Sequence, residues 1–220
     1  MEPTVWDRVL REGRDLFTPN RGPPGDRVYG ERIRTVDGAE YRHWDPFRSK
    51  LAALLVQGAP PDLWAGAGGA LYLGGAHGTT VSHLADLLDP APIYVVEKSP
   101  TAFAPLLALA RRRPNLLPIL ADAQLPERYR ADVGEVDLLY QDIAQRHQAA
   151  IFAENAGAVL APHGRGILML KVRSVSQRRP SGAIVREARA ELARAGLSVH
   201  GEFSLAPFSR DHVALLVRAR

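Results

Sequence analysis

The chain has 220 residues, enough for one sizeable domain with a small appendage, and its 46% apolar and 24% charged residues are ordinary for a globular protein. No stretch approaches the roughly 20 apolar residues of a membrane span, and no basic start and apolar core mark a leader peptide. The lack of cysteine excludes disulfides, thiol nucleophiles and cysteine-based zinc sites; with no apolar span and no leader, no membrane contact is expected and the cytoplasm is the default compartment. The net charge of +4 permits an anionic partner such as nucleic acid without demanding one.

The first 46 residues read as a small β-rich lobe, and residues 47–220 as an α/β domain. Pro19 to Gly25 is a turn-rich connector. Two strand-like runs, Arg27–Val36 and Glu40–Trp44, flank Asp37-Gly38, a dipeptide suited to a type I′ hairpin turn. Asp45 and Pro46 suit the N-cap and first position of a helix expected over Phe47–Gln57. From Ala70 short apolar runs alternate with helical stretches. Strands are expected at Ala70–Leu73, Ile93–Val96, Leu116–Leu120, Val136–Tyr140 and Ile167–Leu170. Helices are expected near Thr79–Leu88, Pro100–Arg112, Gln145–Leu160 and Ala183–Ala195. Arg111 to Arg113 fall where cations would offset a helix C-terminus. Two final strand-like runs, Leu197–Leu205 and Val213–Val217, are joined too closely for a crossover helix and so form a hairpin. This alternation predicts a mostly parallel, doubly wound sheet. Seven strands ending in an antiparallel hairpin also describe the Rossmann-like S-adenosylmethionine methyltransferase sheet.

Ligands of such sheets bind at the carboxyl ends of the strands. The first strand is followed by Gly74-Gly-Ala-His-Gly-Thr-Thr80, where Gly74 and Ala76 let backbone approach a ligand and the next helix offers free N–H groups. Glu97, 19 residues beyond Gly78, stands where an acid binds ribose hydroxyls. Asp122-Ala123 and Gln141-Asp142 end the next two strands. Acids at three successive strand ends, without a tight Gly-x-Gly-x-x-Gly, favour S-adenosylmethionine over a dinucleotide. Only three of the 28 Lys and Arg residues are lysines: Lys50, Lys98 and Lys171. An ammonium can lose its proton and a guanidinium cannot, so positions that keep lysine here are candidates for chemistry.

At Val28-Tyr-Gly-Glu31, Tyr41-Arg-His-Trp-Asp-Pro-Phe-Arg-Ser-Lys-Leu-Ala-Ala53, Leu71-Tyr-Leu-Gly74, Gly78-Thr-Thr-Val-Ser-His83, Gln141-Asp-Ile-Ala-Gln145 and Asp211-His212 the chain resembles fibrillarin in its short archaeal form. The resemblance runs over nearly the whole chain from about Leu16. It implies ribose 2′-O-methylation of rRNA, and also of tRNA, directed by a box C/D guide RNA within a ribonucleoprotein. It further implies a Nop5-type scaffold, an L7Ae-type protein and no metal. A catalytic set would fall on Lys50, Asp142, Lys171 and His212, with Lys171 as base under the influence of a second cation, Lys50. Cofactor positions would fall on Thr79, Thr80, Glu97, Lys98, Asp122, Ala123, Asp142, Ile143, Ala144 and Gln145. Lys98 stands where the family usually has an aromatic residue against adenine, and His77 interrupts a loop that is usually small there. Arg173, Arg178 and Arg179 follow the fifth strand and are candidates for RNA phosphate contacts. A non-catalytic subunit of the same particle, or a stand-alone RNA methyltransferase, are the competing readings.

Overall fold

The computed structural model describes residues 1–219; Arg220, the last residue of the expected second domain, lies outside them. Two sheets organise the chain. The smaller contains β1 (Glu2–Pro3), β2 (Leu10–Glu12), β3 (Asp15–Pro19), β4 (Ile33–Val36) and β5 (Ala39–Trp44), in the order β1-β2-β3-β5-β4. Val36 pairs with Ala39 across Asp37-Gly38, whose φ values of 50° and 80° are both positive, as a type I′ turn demands.

After α1 (Lys50–Val56) the second sheet begins. It comprises β6 (Ala70–Leu73), β7 (Ile93–Glu97), β8 (Leu116–Leu120), β9 (Val136–Gln141), β10 (Leu160–Lys171), β11 (Leu197–Ser204) and β12 (His212–Ala219). Its order is β11-β12-β10-β9-β6-β7-β8, with β12 antiparallel to both neighbours and the five strands from β10 to β8 parallel. The sheet is thus the Rossmann-like methyltransferase arrangement. Chain order reverses between β6 and β9, so their carboxyl ends open a crevice there.

Both faces of this sheet are buried, which explains the near-continuous apolar strands. Along β6, Ala70 and Tyr72 face a core shared with α1, α2 (Thr79–Leu88), α3 (Pro100–Ala110) and the small sheet. Leu71 and Leu73 face the opposite core, with α4 (Arg130–Val133), α5 (Gln148–Val159) and α7 (Ser181–Arg194); α6 (Val172–Val175) is a single turn after β10. No helix is long and apolar enough to cross a membrane among the described residues.

Several boundaries differ from expectation: β4 starts at Ile33 rather than Arg27, and β10 at Leu160 rather than Ile167. Asp45 caps an isolated turn, its carboxylate accepting from the Phe47 N–H at 2.8 Å, and the helix starts only at Lys50 behind a second cap, Ser49, which accepts from the Ala52 N–H at 3.3 Å. The helix expected from Gln145 starts at Gln148, leaving Asp142 to His147 as loop. Arg113 does not serve the helix end. It is 1% exposed and bridges Asp86, at 2.8 Å, and Asp26, at 2.6 Å. Asp86 on α2 also holds Arg42 of β5 at 2.6 Å, and Arg42 in turn holds Glu31 at 2.6 Å. This dry network fastens the small sheet to the back of α2.

Candidate functional site

The loop after β6 has no room for a side chain at its glycines. Gly74 has φ +91°, and a Cβ there would lie 2.3 Å from the Asp142 carbonyl oxygen. Gly78 caps α2 in the left-handed region, with Leu109 2.6 Å from where a Cβ would stand. The loop is held by Glu97: one carboxylate oxygen accepts from the Ala76 N–H at 2.9 Å, the other from the Ser99 N–H at 2.8 Å. Each oxygen keeps a lone pair for a further donor.

Beside this loop lies a cavity of about 290 Å³, near the lower end of the roughly 300–1,000 Å³ usual for small-molecule sites. Gly74, Ala76, Glu97, Lys98, Ala123, Asp142, Ile143, Ala144 and Gln145 line it, so nine of the expected cofactor positions meet around one space. Three others do not line it. Asp122 stands at the rim, where its second oxygen is 3.8 Å from the Lys98 ammonium. Thr79 is the first residue of α2. Thr80 turns inward and donates to Ser49 at 3.1 Å, supporting the cap that precedes Lys50. Gln124 donates to Gln145 at 2.8 Å on the same rim. His77 is exposed. The donor set suits an adenosine: a carboxylate for vicinal hydroxyls, glycine backbone for close approach, and apolar walls from Val96, Ala121 and Ile143.

Asp142 belongs to this cavity and to a second cluster. Its carboxylate accepts from Lys50 Nζ at 2.6 Å, bringing α1 to the end of β9. Lys171 ends β10 and pairs in register with His212, the first residue of β12. His212 is 9% exposed, and burial, the Lys50 and Lys171 cations outweighing Asp142, pushes its imidazole down to about 4. It is therefore neutral at pH 7. Lys50, Asp142, Lys171 and His212 come from four separate segments and meet in one place.

Two positioning groups escape a reading of sequence alone. Ser209 Oγ lies 2.8 Å from His212 Nδ1 and fixes the ring. Gln148, 1% exposed, accepts from the Lys171 N–H at 2.9 Å and donates to the Lys171 carbonyl at 3.1 Å, while its own carbonyl accepts from buried Gln141 at 2.7 Å. Only the order Ser-x-x-His hints at the first; nothing in spacing announces the second. Lys171 Nζ has no hydrogen-bond or ion-pair partner among the described residues. Arg173, Arg178 and Arg179 are exposed on the segment immediately after it. Arg179 pairs with Glu187 at 2.7 Å, and Arg173 lies 3.8 Å from Asp211. No three His, Asp or Glu side chains are arranged to hold a metal ion among the described residues.

The family model for fibrillarin matches residues 4–220. The chain belongs to the fibrillarin family. A fibrillarin-like rRNA/tRNA 2′-O-methyltransferase of Methanothrix thermoacetophila is 46% identical over 210 residues, covering 96% of this chain and 94% of that protein. The fibrillarin of Aeropyrum pernix, solved with natively bound S-adenosyl-L-methionine, superposes with a TM-score of 0.86 at 39% identity, covering 95% of this chain and 97% of that one. A fibrillarin solved in complex with Nop5p gives a TM-score of 0.86 at 37% identity, over 99% of this chain and 100% of that one. The four-residue cluster of this chain thus sits on a framework shared over nearly its whole length with these relatives.

Proposed function

We propose that this chain transfers the methyl group of S-adenosylmethionine to ribose 2′-hydroxyls of rRNA and tRNA. It would do so under a box C/D guide RNA, with a Nop5-type scaffold and an L7Ae-type protein. The observation that carries the reading is Asp142, which lines the cavity and holds Lys50 at 2.6 Å beside Lys171 and His212. A cofactor pocket and a cluster of proton-handling groups share one residue.

S-adenosylmethionine, when bound, supplies a sulfonium-activated methyl group. What remains for the protein is alignment and removal of one proton. Glu97 holds the ribose hydroxyls of the cofactor, and the Gly74 loop lets backbone lie against it. Lys98 covers the adenine side with its alkyl stem and keeps its ammonium toward Asp122. Asp142, neutralised by Lys50, orients the acceptor hydroxyl. His212, neutral and fixed by Ser209, offers its remaining ring nitrogen to the same ribose. Lys171, the unpaired amine, is the group placed to take the proton. Arg173, Arg178 and Arg179 receive phosphates of the strand entering past Lys171.

The test is a methyl-transfer assay on target RNA with and without guide and scaffold. The reading expects transfer only in the assembled particle. Transfer to free RNA would favour a stand-alone enzyme, and no transfer in any assembly would favour a non-catalytic subunit.

A further inference from the structure

The cavity beside the glycine loop is walled by the segments that follow β6, β7, β8 and β9. Where these strands are neighbours, backbone hydrogen bonds close the gaps between their ends. The Asp142 N–H donates to the Leu73 carbonyl at 2.9 Å, the Gly74 N–H to the Val96 carbonyl at 2.9 Å, and the Ala121 N–H to the Glu97 carbonyl at 3.2 Å. The remaining gap differs. β6 and β7 lie between β8 and β9 in the sheet, so the ends of the outer two are three strand spacings apart, roughly 14 Å. No backbone bond can cross that distance. Among the described residues, a single hydrogen bond joins segments 121–125 and 142–147, from Gln124 Nε2 to Gln145 Oε1 at 2.8 Å.

Gln145 lines the cavity and Gln124 is exposed, so this bond lies where the wall meets solvent. It is neutral, joins two side chains and competes with water, so it breaks readily. The exposed Lys98–Asp122 pair, at 3.8 Å, breaks as readily, but it joins the ends of paired strands and its loss opens no gap. The turn that carries Gln124 is firmly based. Its N–H donates to Asp122 at 3.0 Å, and the preceding carbonyl, of Ala123, accepts from buried Asn155 at 2.8 Å. The Gln124 side chain can therefore swing aside by rotation while the wall stays in place. We propose that Gln124 and Gln145 form a latch over the cofactor cavity, which opens to admit S-adenosylmethionine or release its demethylated product and re-forms over either while it is bound. This rests on the methyltransferase reading above and gives a role to Gln124, which the family resemblance does not single out.

The test is surface plasmon resonance of S-adenosylmethionine and S-adenosylhomocysteine on the immobilised full chain, without RNA. Gln124→Leu keeps the bulk and loses the bond. It should speed association and dissociation together, each by roughly three- to tenfold, with little change in affinity. Both ligands should respond alike, because the latch carries no charge. Gln124→Asn, which keeps the amide but falls short of Gln145, should match Gln124→Leu. Unchanged rates in either variant would overturn the proposal. So would faster dissociation with unchanged association, which would make Gln124 a contact of the bound ligand. Wild type that binds both ligands but transfers no methyl group would refute the catalytic reading and leave the latch standing; wild type that binds neither would overturn both.

Discussion

His212 links the chemistry of the site to the pH dependence of the fold. Its imidazole titrates at about 4 in the folded protein and near 6.5 when unfolded. The unfolded chain therefore binds more protons between these values, and stability falls as pH drops from 6.5 towards 4, by at most about 3 kcal/mol from this group. His83, buried and pressed by the Arg42 and Arg113 cations, shifts the same way and adds to the loss. Thermal unfolding from pH 7 to pH 5 should show a decline that His212→Gln makes shallower; an identical decline in the variant would contradict the assignment. Gly74→Ala should cost about 2–5 kcal/mol, since it combines a positive φ with a Cβ 2.3 Å from the Asp142 carbonyl, and should weaken cofactor binding in calorimetry. Gln148→Leu should lower kcat while sparing cofactor affinity, because the Gln148 side chain hydrogen-bonds to the backbone of Lys171 and does not line the cofactor cavity. A fall in cofactor affinity equal to the fall in kcat would refute that positioning role.

At the scale of elements, the parallel strands were legible because a strand covered on both faces needs an unbroken apolar run, and Ala70–Leu73 and Ile167–Leu170 are such runs. Helix starts were less legible. Asp45 and Ser49 are both competent caps, and which one begins α1 depends on Thr80, which supports Ser49 from another helix. The displacement matters, because it puts Lys50 at the first helical position, facing Asp142. Ser49→Ala should therefore cost about 1 kcal/mol and also lower transfer by loosening the Lys50 pair, as unfolding and activity measured on one preparation would reveal. The charges joining the small sheet to α2 were invisible in spacing, since Glu31, Arg42, Asp86 and Arg113 are far apart in the chain. Arg42→Met leaves Glu31 buried without its cation, while Asp86 keeps Arg113, and should destabilise the protein by about 3–5 kcal/mol in denaturant titration.

Across the whole molecule, the reaction cluster is a product of topology. Glycine loop and strand-end acids could be placed from sequence because each follows its strand directly. That Lys50, Asp142, Lys171 and His212 belong together was carried by family resemblance; periodicity cannot say that β10 lies between β9 and β12, or that α1 returns to the end of β9. The cavity proposed to hold the cofactor is separate from the amine proposed to remove the proton: Asp142 lines that cavity and Lys171 does not. The most direct measurement compares cofactor binding and single-turnover methyl transfer for wild type and Lys171→Ala within the guide-RNA particle. Cofactor affinity should stay within a few-fold while transfer falls at least about a hundredfold. Transfer at the wild-type rate in Lys171→Ala would contradict the account.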